Sequence, residues 1–560
     1  MFVSRTRSVT LPSVTQLFCV WLLVIFVLKW QSLSEPPVWD AVFGLFPAAG
    51  ELADNGFDLS SLLKKPNCRV GGPNTHSESI VTWITAGVLW LVGKGPRAFA
   101  ILHLLHFAAA AWTLAVLHRF TIPLWGRLMA GLFTGTLLLC PLFRVQVGAL
   151  YFEIPLVACT VAAVVAFSQG QLGRSVFWST LGVLVKQAGL VVAGALALAA
   201  LCQPGSLTQR FKRGVCFAAS GLVAAFWPLV STPVLAGVTE RSPPGSWWQF
   251  LTESHFGYLA AIPDITAAFC LVALIGLFRL REVWQSLTSD AASHSDTVSE
   301  PTAVAPSDAQ PDQPVTSNTS ATVATPTRAL GVAFLLVVMF ALFFYVMPYL
   351  ARLVVLGLPR YFVFILPFIF LALTHWLTLL ISPRRTAIVL AGVAMLFVAN
   401  RDGRWYPPDK RDEISVLERS ENYRLVVAAQ REAAQTAANL PDDAVIYYGF
   451  EDHFFQKYSW LGYANRTHPG GRALFLPDER PKSTKMADLP EHFFVIYANP
   501  NLFGYEAHLI LRSASKDATR KVRLFRRCQR GPFRIDIYEV STVVPPPQPE
   551  VAELNQQATP

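Results

Sequence analysis

Long apolar runs separated by short polar segments cover residues 11–400 of the chain. A helix that spans a bilayer needs about 20 mainly apolar residues. The pattern predicts about eleven transmembrane helices, near residues 11–30, 98–117, 126–143, 154–168, 174–186, 188–203, 214–232, 264–280, 329–347, 361–380 and 386–400. The first run resembles a signal peptide, but no small-residue cleavage site follows it, so we interpret it as a retained helix. An α-helical polytopic membrane protein is therefore predicted.

One apolar stretch, residues 80–92, is too short to span and is predicted to lie at the membrane interface. With this assignment, the basic loop residues all fall on one side of the membrane, which the positive-inside rule makes cytoplasmic. They are Arg5, Arg7, Arg119, Arg127, Arg174, Arg210, Lys212, Arg213, Arg279, Arg281, Arg384 and Arg385. The first loop, 31–97, and the C-terminal region from 401 are then extracytoplasmic in the cell (inner) membrane.

The C-terminal region changes character. Residues 414–440 follow the pattern of one amphipathic helix, and alternating apolar runs predict strands at 444–448, 493–497 and 533–538. A small α/β domain is expected. The Ser-, Asp- and Pro-rich stretch before the last three predicted helices lacks aromatics and is predicted to be a disordered linker. The predicted segments are a membrane module with the long first loop (1–282), a disordered cytoplasmic linker (283–328), the last membrane helices (329–400), the α/β domain (401–543) and a disordered tail (544–560).

Composition supports a membrane protein and argues against a nucleic-acid partner. The chain is 53% apolar and 15% charged, whereas soluble domains carry about 25% charged residues. Its net charge is +9, but the basic residues lie in clusters between apolar runs and form no single face. Membrane lipid is the expected partner.

The cysteines and acids give no metal-site signature. Six of the eight cysteines lie in or beside apolar runs, and only Cys68 and Cys528 lie in polar segments. A disulfide between these two is a hypothesis. The spacing of the cysteines and histidines fits no zinc motif, and the acids are scattered along the chain. No metal and no certain cofactor are therefore predicted.

Two acids are the candidates for catalysis. Asp40 follows the first predicted helix, and Glu153 precedes the fourth. The predicted topology places both on the extracytoplasmic side, where a carboxylate beside the bilayer can act as a general base. The alternatives are ordinary ones: Asp40 caps the helix that starts at Ala41, and a helix N-terminus favours an acid such as Glu153.

The segment from Asp40 to Gly56 resembles the first exterior loop of the GT-C glycosyltransferases that use polyprenyl-phosphate sugars, in the branch of protein O-mannosyltransferases, aminoarabinose transferases and lipopolysaccharide-core transferases. Ala41 replaces the family's second acid. Three further segments resemble family motifs in the same order: Glu153-Ile154-Pro155-Leu156 with Glu for the usual Asp, Leu184-Val185-Lys186, and Pro359-Arg360-Tyr361 followed by Pro367.

The resemblance implies an integral-membrane glycosyltransferase that moves a hexosyl or pentosyl group to a glycan, lipid or protein acceptor by one inverting displacement. Its donor substrate would be a polyprenyl-phosphate-linked sugar. Asp40 would act as general base and Glu153 would position the acceptor. The expected substrate contacts are Arg360, Tyr361, Lys186, His76 and Lys64, with Arg352 as a weaker candidate. The alternative for Arg360 is that its side chain extends to the membrane interface and keeps its charge in water.

Two other classes remain open. A secondary transporter would also carry intramembrane charges, although such proteins usually show internal repeats or broken helices. A non-enzymatic envelope-assembly protein is the third alternative. A flux assay and a glycosyl-transfer assay distinguish these classes.

Overall fold

The computed structural model describes residues 11–39, 41–58, 79–231, 263–288, 327–342, 359–406, 408, 411, 414–449, 455–473, 489–498 and 505–543. The chain divides into two compact units, Met1–Tyr423 and Arg424–Pro560. Most of the predicted linker and the whole predicted tail lie outside the described residues.

The first unit is helical. Its helices are α1 (Val14–Lys29), α2 (Phe46–Asp54), α3 (Ile80–Val92), α4 (Pro96–Leu139), α5 (Pro141–Gly148), α6 (Glu153–Ser168), α7 (Leu172–Val185), α8 (Gly189–Cys202), α9 (Leu207–Ser231), α10 (Pro263–Phe278), α11 (Leu280–Thr288), α12 (Thr327–Ala341), α13 (Leu366–Leu380), α14 (Pro383–Ala399) and α15 (Ile414–Leu417). Trp30–Ser34 and Pro359–Phe362 are 3₁₀ turns, and Ala41–Leu45 is a π-helical turn.

Helix length limits how many of these can be identified as membrane spans. Among the described residues, Val14–Ser34 and Pro96–Leu139 are long and apolar enough to cross a bilayer. The pair Pro141–Gly148 and Glu153–Ser168, bent by 116°, could form a third span. Other apolar helices have 10–17 residues, whereas the hydrocarbon core is about 30 Å thick and a helix rises about 1.5 Å per residue. The predicted count of eleven spans is not confirmed.

The pattern of burial is that of a helical membrane protein. Helix α6 is buried along almost its whole length and packs against α4 and α7. Large apolar side chains on other helices are exposed, including Leu23 (65%), Leu91 (72%) and Met395 (74%). An apolar surface of this kind requires an apolar environment, as the bilayer provides.

Two glycines explain where the predicted helices break. Gly126 divides α4 with φ +82° and ψ 170°, in the left-handed region that suits glycine. This break falls between the predicted helices 98–117 and 126–143. Gly189 starts α8 so close to α7 that a Cβ atom would lie 2.5 Å from the carbonyl carbon of Gly182. The turn between α7 and α8, which contains Lys186, therefore depends on a glycine at position 189.

The predicted helix 414–440 is wrong as a single element. It consists of α15, a turn at residues 418–422, and α16 (Tyr423–Ala438). Several side chains of the turn are buried within the first unit, where Glu418 pairs with Arg360 and Glu421 with Lys29. These contacts place residues up to Tyr423 in the helical unit, so the boundary lies beyond the predicted position, residue 401.

The second unit is the expected small α/β domain. Its strands are β1 (Ile446–Tyr448), β2 (Gly471–Ala473), β3 (His492–Ala498), β4 (Arg520–Arg530) and β5 (Phe533–Thr542), and α17 spans Tyr505–Lys516. The sheet order is β2-β1-β3-β5-β4. Strand β1 runs parallel to β2 and β3, whereas β5 is antiparallel to β3 and β4. Strands β2 and β4 were not predicted, because β2 has three residues and β4 is largely basic.

Each face of this sheet is covered by one helix. Ala429, Ala433 and Ala437 of α16 lie in one buried cluster with Ile446 and Ile537. On the other face, side chains of α17 pack beside Phe493 and Val540. The edge strand β4 carries Arg and Lys at six of its eleven positions, and a charged edge resists pairing with strands of other molecules.

Cys528 of β4 is a buried free thiol. Its predicted disulfide partner, Cys68, lies outside the described residues, so the structure gives no support to that bond. Burial raises the pKa of the Cys528 thiol, which lowers its reactivity at neutral pH.

Acid is expected to destabilise the second unit through Glu539. The hydrogen bond with His492 and the contacts from Arg523 lower the pKa of Glu539 below its ordinary value of 4.5. A lowered folded-state pKa means that this carboxylate stabilises the fold above pH 4.5, and that the contribution disappears as the pH falls through the lowered value. Glu539→Gln should therefore lower the unfolding temperature at pH 7 and flatten its decline in acid.

Thermal unfolding of both proteins between about pH 7 and pH 3 measures this difference. Glu491→Gln is the matched control, because Thr542 and Arg520 donate hydrogen bonds to the backbone carbonyl of Glu491, which the substitution keeps. Equal acid-dependence of wild type and Glu539→Gln would contradict the prediction.

Candidate functional site

Four of the seven predicted site residues are described, and they converge in the first unit. Glu153, Lys186, Arg360 and Tyr361 come from three separate segments, and the two cations both lie within 4 Å of Glu153. The other three, Asp40, His76 and Lys64, lie outside the described residues, as does the weaker candidate Arg352.

Glu153 is the first residue of α6 and is 2% exposed. The helix N-terminus favours a carboxylate at this position, as the simpler interpretation predicted. The structure adds a direct ion pair: Lys186 Nζ donates to Glu153 Oε1 at 2.6 Å. Arg360 Nε lies 3.9 Å from the same oxygen. The second oxygen, Oε2, is buried and has no hydrogen-bond partner among the described residues.

Lys186 is held in place by the end of α7. Its backbone N–H donates to the carbonyl of Gly182 at 3.0 Å, and its own backbone is extended. The hydroxyl of Ser79, which also caps α3, donates to the carbonyl of Val185 at 2.7 Å. Helix α3 therefore contributes directly to the position of Lys186.

Arg360 lies in the 3₁₀ turn before α13 and is 1% exposed. Its Nη1 donates to Glu418 Oε1 at 2.5 Å, and its backbone N–H donates to Glu418 Oε2 at 3.0 Å. A guanidinium buried this deeply would be costly without a charged partner. Glu418 supplies that partner.

Two tyrosine rings flank both cations. Lys186 Nζ lies 4.6 Å from the ring centre of Tyr361 and 5.3 Å from that of Tyr151. Arg360 Cζ lies 5.7 Å and 5.4 Å from the same two rings. Aromatic faces attract cations, more strongly where water is excluded. The loop that carries Tyr151 is fixed by His106, whose Nε2 donates to the Tyr151 carbonyl at 2.7 Å.

The core of the site consists of two cations, Lys186 and Arg360, and two carboxylates, Glu153 and Glu418, so its formal charge is zero. An ammonium has three N–H donors and a guanidinium has five, so each cation can hold a carboxylate and a further anion at once. The Oε2 oxygen of Glu153, which has no partner among the described residues, can accept one hydrogen bond from a bound hydroxyl. Together these groups can bind an anionic, hydroxyl-bearing molecule.

A second ionic cluster lies near Trp39, the residue before Asp40. Lys29 Nζ and Arg144 Nε lie 2.6 Å and 3.2 Å from Glu421 Oε1. The hydroxyl of Tyr423 donates to Glu35 Oε2 at 2.8 Å, and its ring centre lies 5.7 Å from that of Trp39. Trp39 has φ +52°, which is uncommon for a bulky residue and marks a constrained backbone.

Sequence reasoning missed Glu418 and Tyr151. Glu418 was assigned to an amphipathic helix, yet residues 418–422 (Glu-Arg-Ser-Glu-Asn) are five consecutive polar positions. Such a run interrupts an apolar stripe and is the signal that the helix breaks there. Tyr151 lies in an apolar context, and no feature of the sequence distinguishes it.

Among the described residues, no group of three or more His, Cys, Asp or Glu side chains could hold a metal ion.

No protein-family model and no curated protein sequence matches the chain. The solved structures that resemble it include ArnT from Cupriavidus metallidurans, a GT-C aminoarabinose transferase. The comparison with the apo structure of ArnT gives a TM-score of 0.42 and a sequence identity of 14%, and it covers 94% of this chain and 98% of the ArnT chain. Bound to undecaprenyl phosphate, the same enzyme has a TM-score of 0.41 at 13% identity, with the same coverage.

Superposition at a TM-score near 0.4 is too loose to define a fold or an activity.

Breaking the Glu153–Lys186 pair should destabilise the first unit. Glu153→Leu leaves a partly buried ammonium without its nearest carboxylate, which costs about 3 kcal/mol, the lower end of the range for buried pairs. The double variant Glu153→Leu/Lys186→Met removes both charges and should recover most of that loss. Thermal unfolding in detergent measures both. A double variant as unstable as Glu153→Leu would show that the ion pair is not the cause.

Proposed function

We propose that the chain is an integral-membrane glycosyltransferase that transfers a sugar from a polyprenyl-phosphate carrier to an acceptor outside the cytoplasm. The observation that carries the proposal is the convergence of Lys186 and Arg360 at Glu153, between Tyr151 and Tyr361. Paired cations in a site that excludes water are suited to a phosphate leaving group.

In the proposed reaction, an acceptor hydroxyl attacks the anomeric carbon of the donor sugar. The bond from that carbon to the phosphate oxygen breaks, and polyprenyl phosphate leaves with one additional negative charge. Lys186 and Arg360 stabilise this charge as it develops. Asp40 takes the proton of the attacking hydroxyl, so the transfer is a single displacement with inversion.

Glu153 has a different role from Asp40 in this scheme. Its Oε1 oxygen already accepts from Lys186 Nζ at 2.6 Å. We assign Glu153 to holding Lys186 and Arg360 through Oε1 and to orienting the acceptor hydroxyl through Oε2. Lys64 and His76 remain proposed substrate contacts.

The proposed sidedness follows from the positive-inside rule. Asp40, Glu153 and the α/β domain would share the extracytoplasmic compartment. Labelling of single cysteines at position 40 and at Asp442, whose side chain is 68% exposed, with a membrane-impermeant reagent tests this arrangement, and labels on opposite sides would overturn it.

Asp40→Asn should abolish most of the transfer. The amide keeps the shape of the side chain and removes its basicity, and general-base catalysis contributes about a hundredfold to ten-thousandfold. Mass spectrometry of surface glycans from cells with wild-type or variant protein measures the product whatever the acceptor is. Asp54→Asn is the matched control, because among the described residues Asp54 makes an exposed ion pair with Lys94. Undiminished transfer by Asp40→Asn would end the assignment.

Arg360→Gln should reduce turnover by about a hundredfold to a thousandfold, because one donor to the leaving group is lost. Arg360→Lys keeps the charge but loses the planar fork, and we expect it to recover only part of the activity. Turnover of a radiolabelled polyprenyl-phosphate sugar by purified protein provides the measurement. Full activity in Arg360→Gln would show that this residue does not hold the phosphate.

A further inference from the structure

We propose that Glu418 is a positioning residue that sets both the backbone and the guanidinium of Arg360 for the leaving phosphate. The inference rests on the proposed function, and it names a residue outside the motifs that resemble the GT-C family. It also makes the chain beyond the last apolar helix, α14, part of the active-site structure.

The geometry is a two-point contact between one carboxylate and one residue. Glu418 Oε1 accepts from the Arg360 side chain at 2.5 Å, and Oε2 accepts from the Arg360 backbone N–H at 3.0 Å. The side-chain contact fixes the guanidinium, and the backbone contact fixes the turn from which it projects. A simple salt bridge to the side chain would leave that turn free to shift.

Burial makes the contact between Glu418 and Arg360 costly to break. The Glu418 side chain is 0% exposed and that of Arg360 is 1% exposed. Water cannot replace either partner at such depth, so loss of one partner leaves the other uncompensated. The guanidinium therefore has one well-defined position, which is the condition for preorganised stabilisation of a charge that develops during reaction.

Glu418 is itself held in place by contacts further along its turn. Three residues later, Glu421 pairs with Lys29 of α1 and Arg144 of α5. Tyr423 then donates to Glu35, at the end of the first helical segment. The turn is therefore anchored independently of Arg360, so Glu418 is fixed by the fold and Arg360 is fixed by Glu418.

The competing explanation is that the pair only stabilises the fold. Glu421 provides a matched control, because it is a carboxylate in the same turn that also joins buried cations but lies outside the proposed site. A purely structural role predicts that Glu418→Gln and Glu421→Gln lose stability and nothing else.

The experiment compares full-length wild type, Glu418→Gln, Glu418→Asp and Glu421→Gln in detergent. Transfer from a radiolabelled polyprenyl-phosphate sugar gives kcat and KM, and thermal unfolding gives stability. Hydrogen exchange of a peptide that contains Arg360 reports on its backbone N–H independently of activity.

We expect Glu418→Gln to lower kcat/KM by about tenfold to a hundredfold, because a displaced group loses about this much catalysis. Exchange at Arg360 should increase in the same variant. Glu418→Asp, which keeps the charge but is one methylene shorter, should recover part of both. Glu421→Gln acts on Arg360 only indirectly, through the turn, so it should lose stability while changing kcat/KM and the exchange at Arg360 much less than Glu418→Gln does. If Glu418→Gln does not fold, the same comparison is made with Glu418→Asp.

Unchanged kcat/KM and unchanged exchange in the Glu418 variants would overturn the proposal. The same is true if Glu421→Gln shows equal effects. If wild type transfers no sugar, the proposed function fails, and the exchange data alone then decide whether Glu418 positions Arg360.

Discussion

The organisation of the helical unit depends on the cost of burying charge. Four charged residues lie at helix ends or in turns: Glu153, Arg360 and Glu418 are almost inaccessible to solvent, and Lys186 is 17% exposed. None of them is stable there alone, since desolvation of a single ion costs several kcal/mol. Each therefore fixes the position of an oppositely charged partner from a distant part of the chain. The site is the place where these requirements are satisfied together.

The same constraint explains why the chain folds back after α14. The turn at residues 418–422 brings two carboxylates to cations on other helices, Glu418 to Arg360 and Glu421 to Lys29 and Arg144. Without this turn, three buried cations would lose their nearest carboxylate. The turn completes the helical unit, although it follows the last apolar helix in sequence. The α/β unit has its own core on both faces of its sheet.

Local patterns allowed much of the fold to be predicted. Apolar runs located the helices to within a few residues, because burial in lipid or protein requires continuous apolar sequence. The alternation of apolar and polar residues located β1, β3 and β5. The basic strand β4 and the break at residues 418–422 were missed, since charge on a strand or a polar run in an amphipathic segment acquires meaning only from its neighbours. The count of eleven spans stays a prediction, because hydropathy measures composition and not helix length.

For the site, the sequence by itself determined which residue types were candidates: an acid before α6, a lysine after α7, and an Arg-Tyr pair before α13. Only the tertiary structure decided that Glu153, Lys186 and Arg360 meet, and that Glu418 joins them. The physical reason is the separation in sequence over which each interaction acts. Helix propensity and hydropathy act over a few residues and can be read from the chain, whereas the ion pairs here join residues as far as 392 positions apart, as between Lys29 and Glu421. Which charges pair is fixed only when the helices pack.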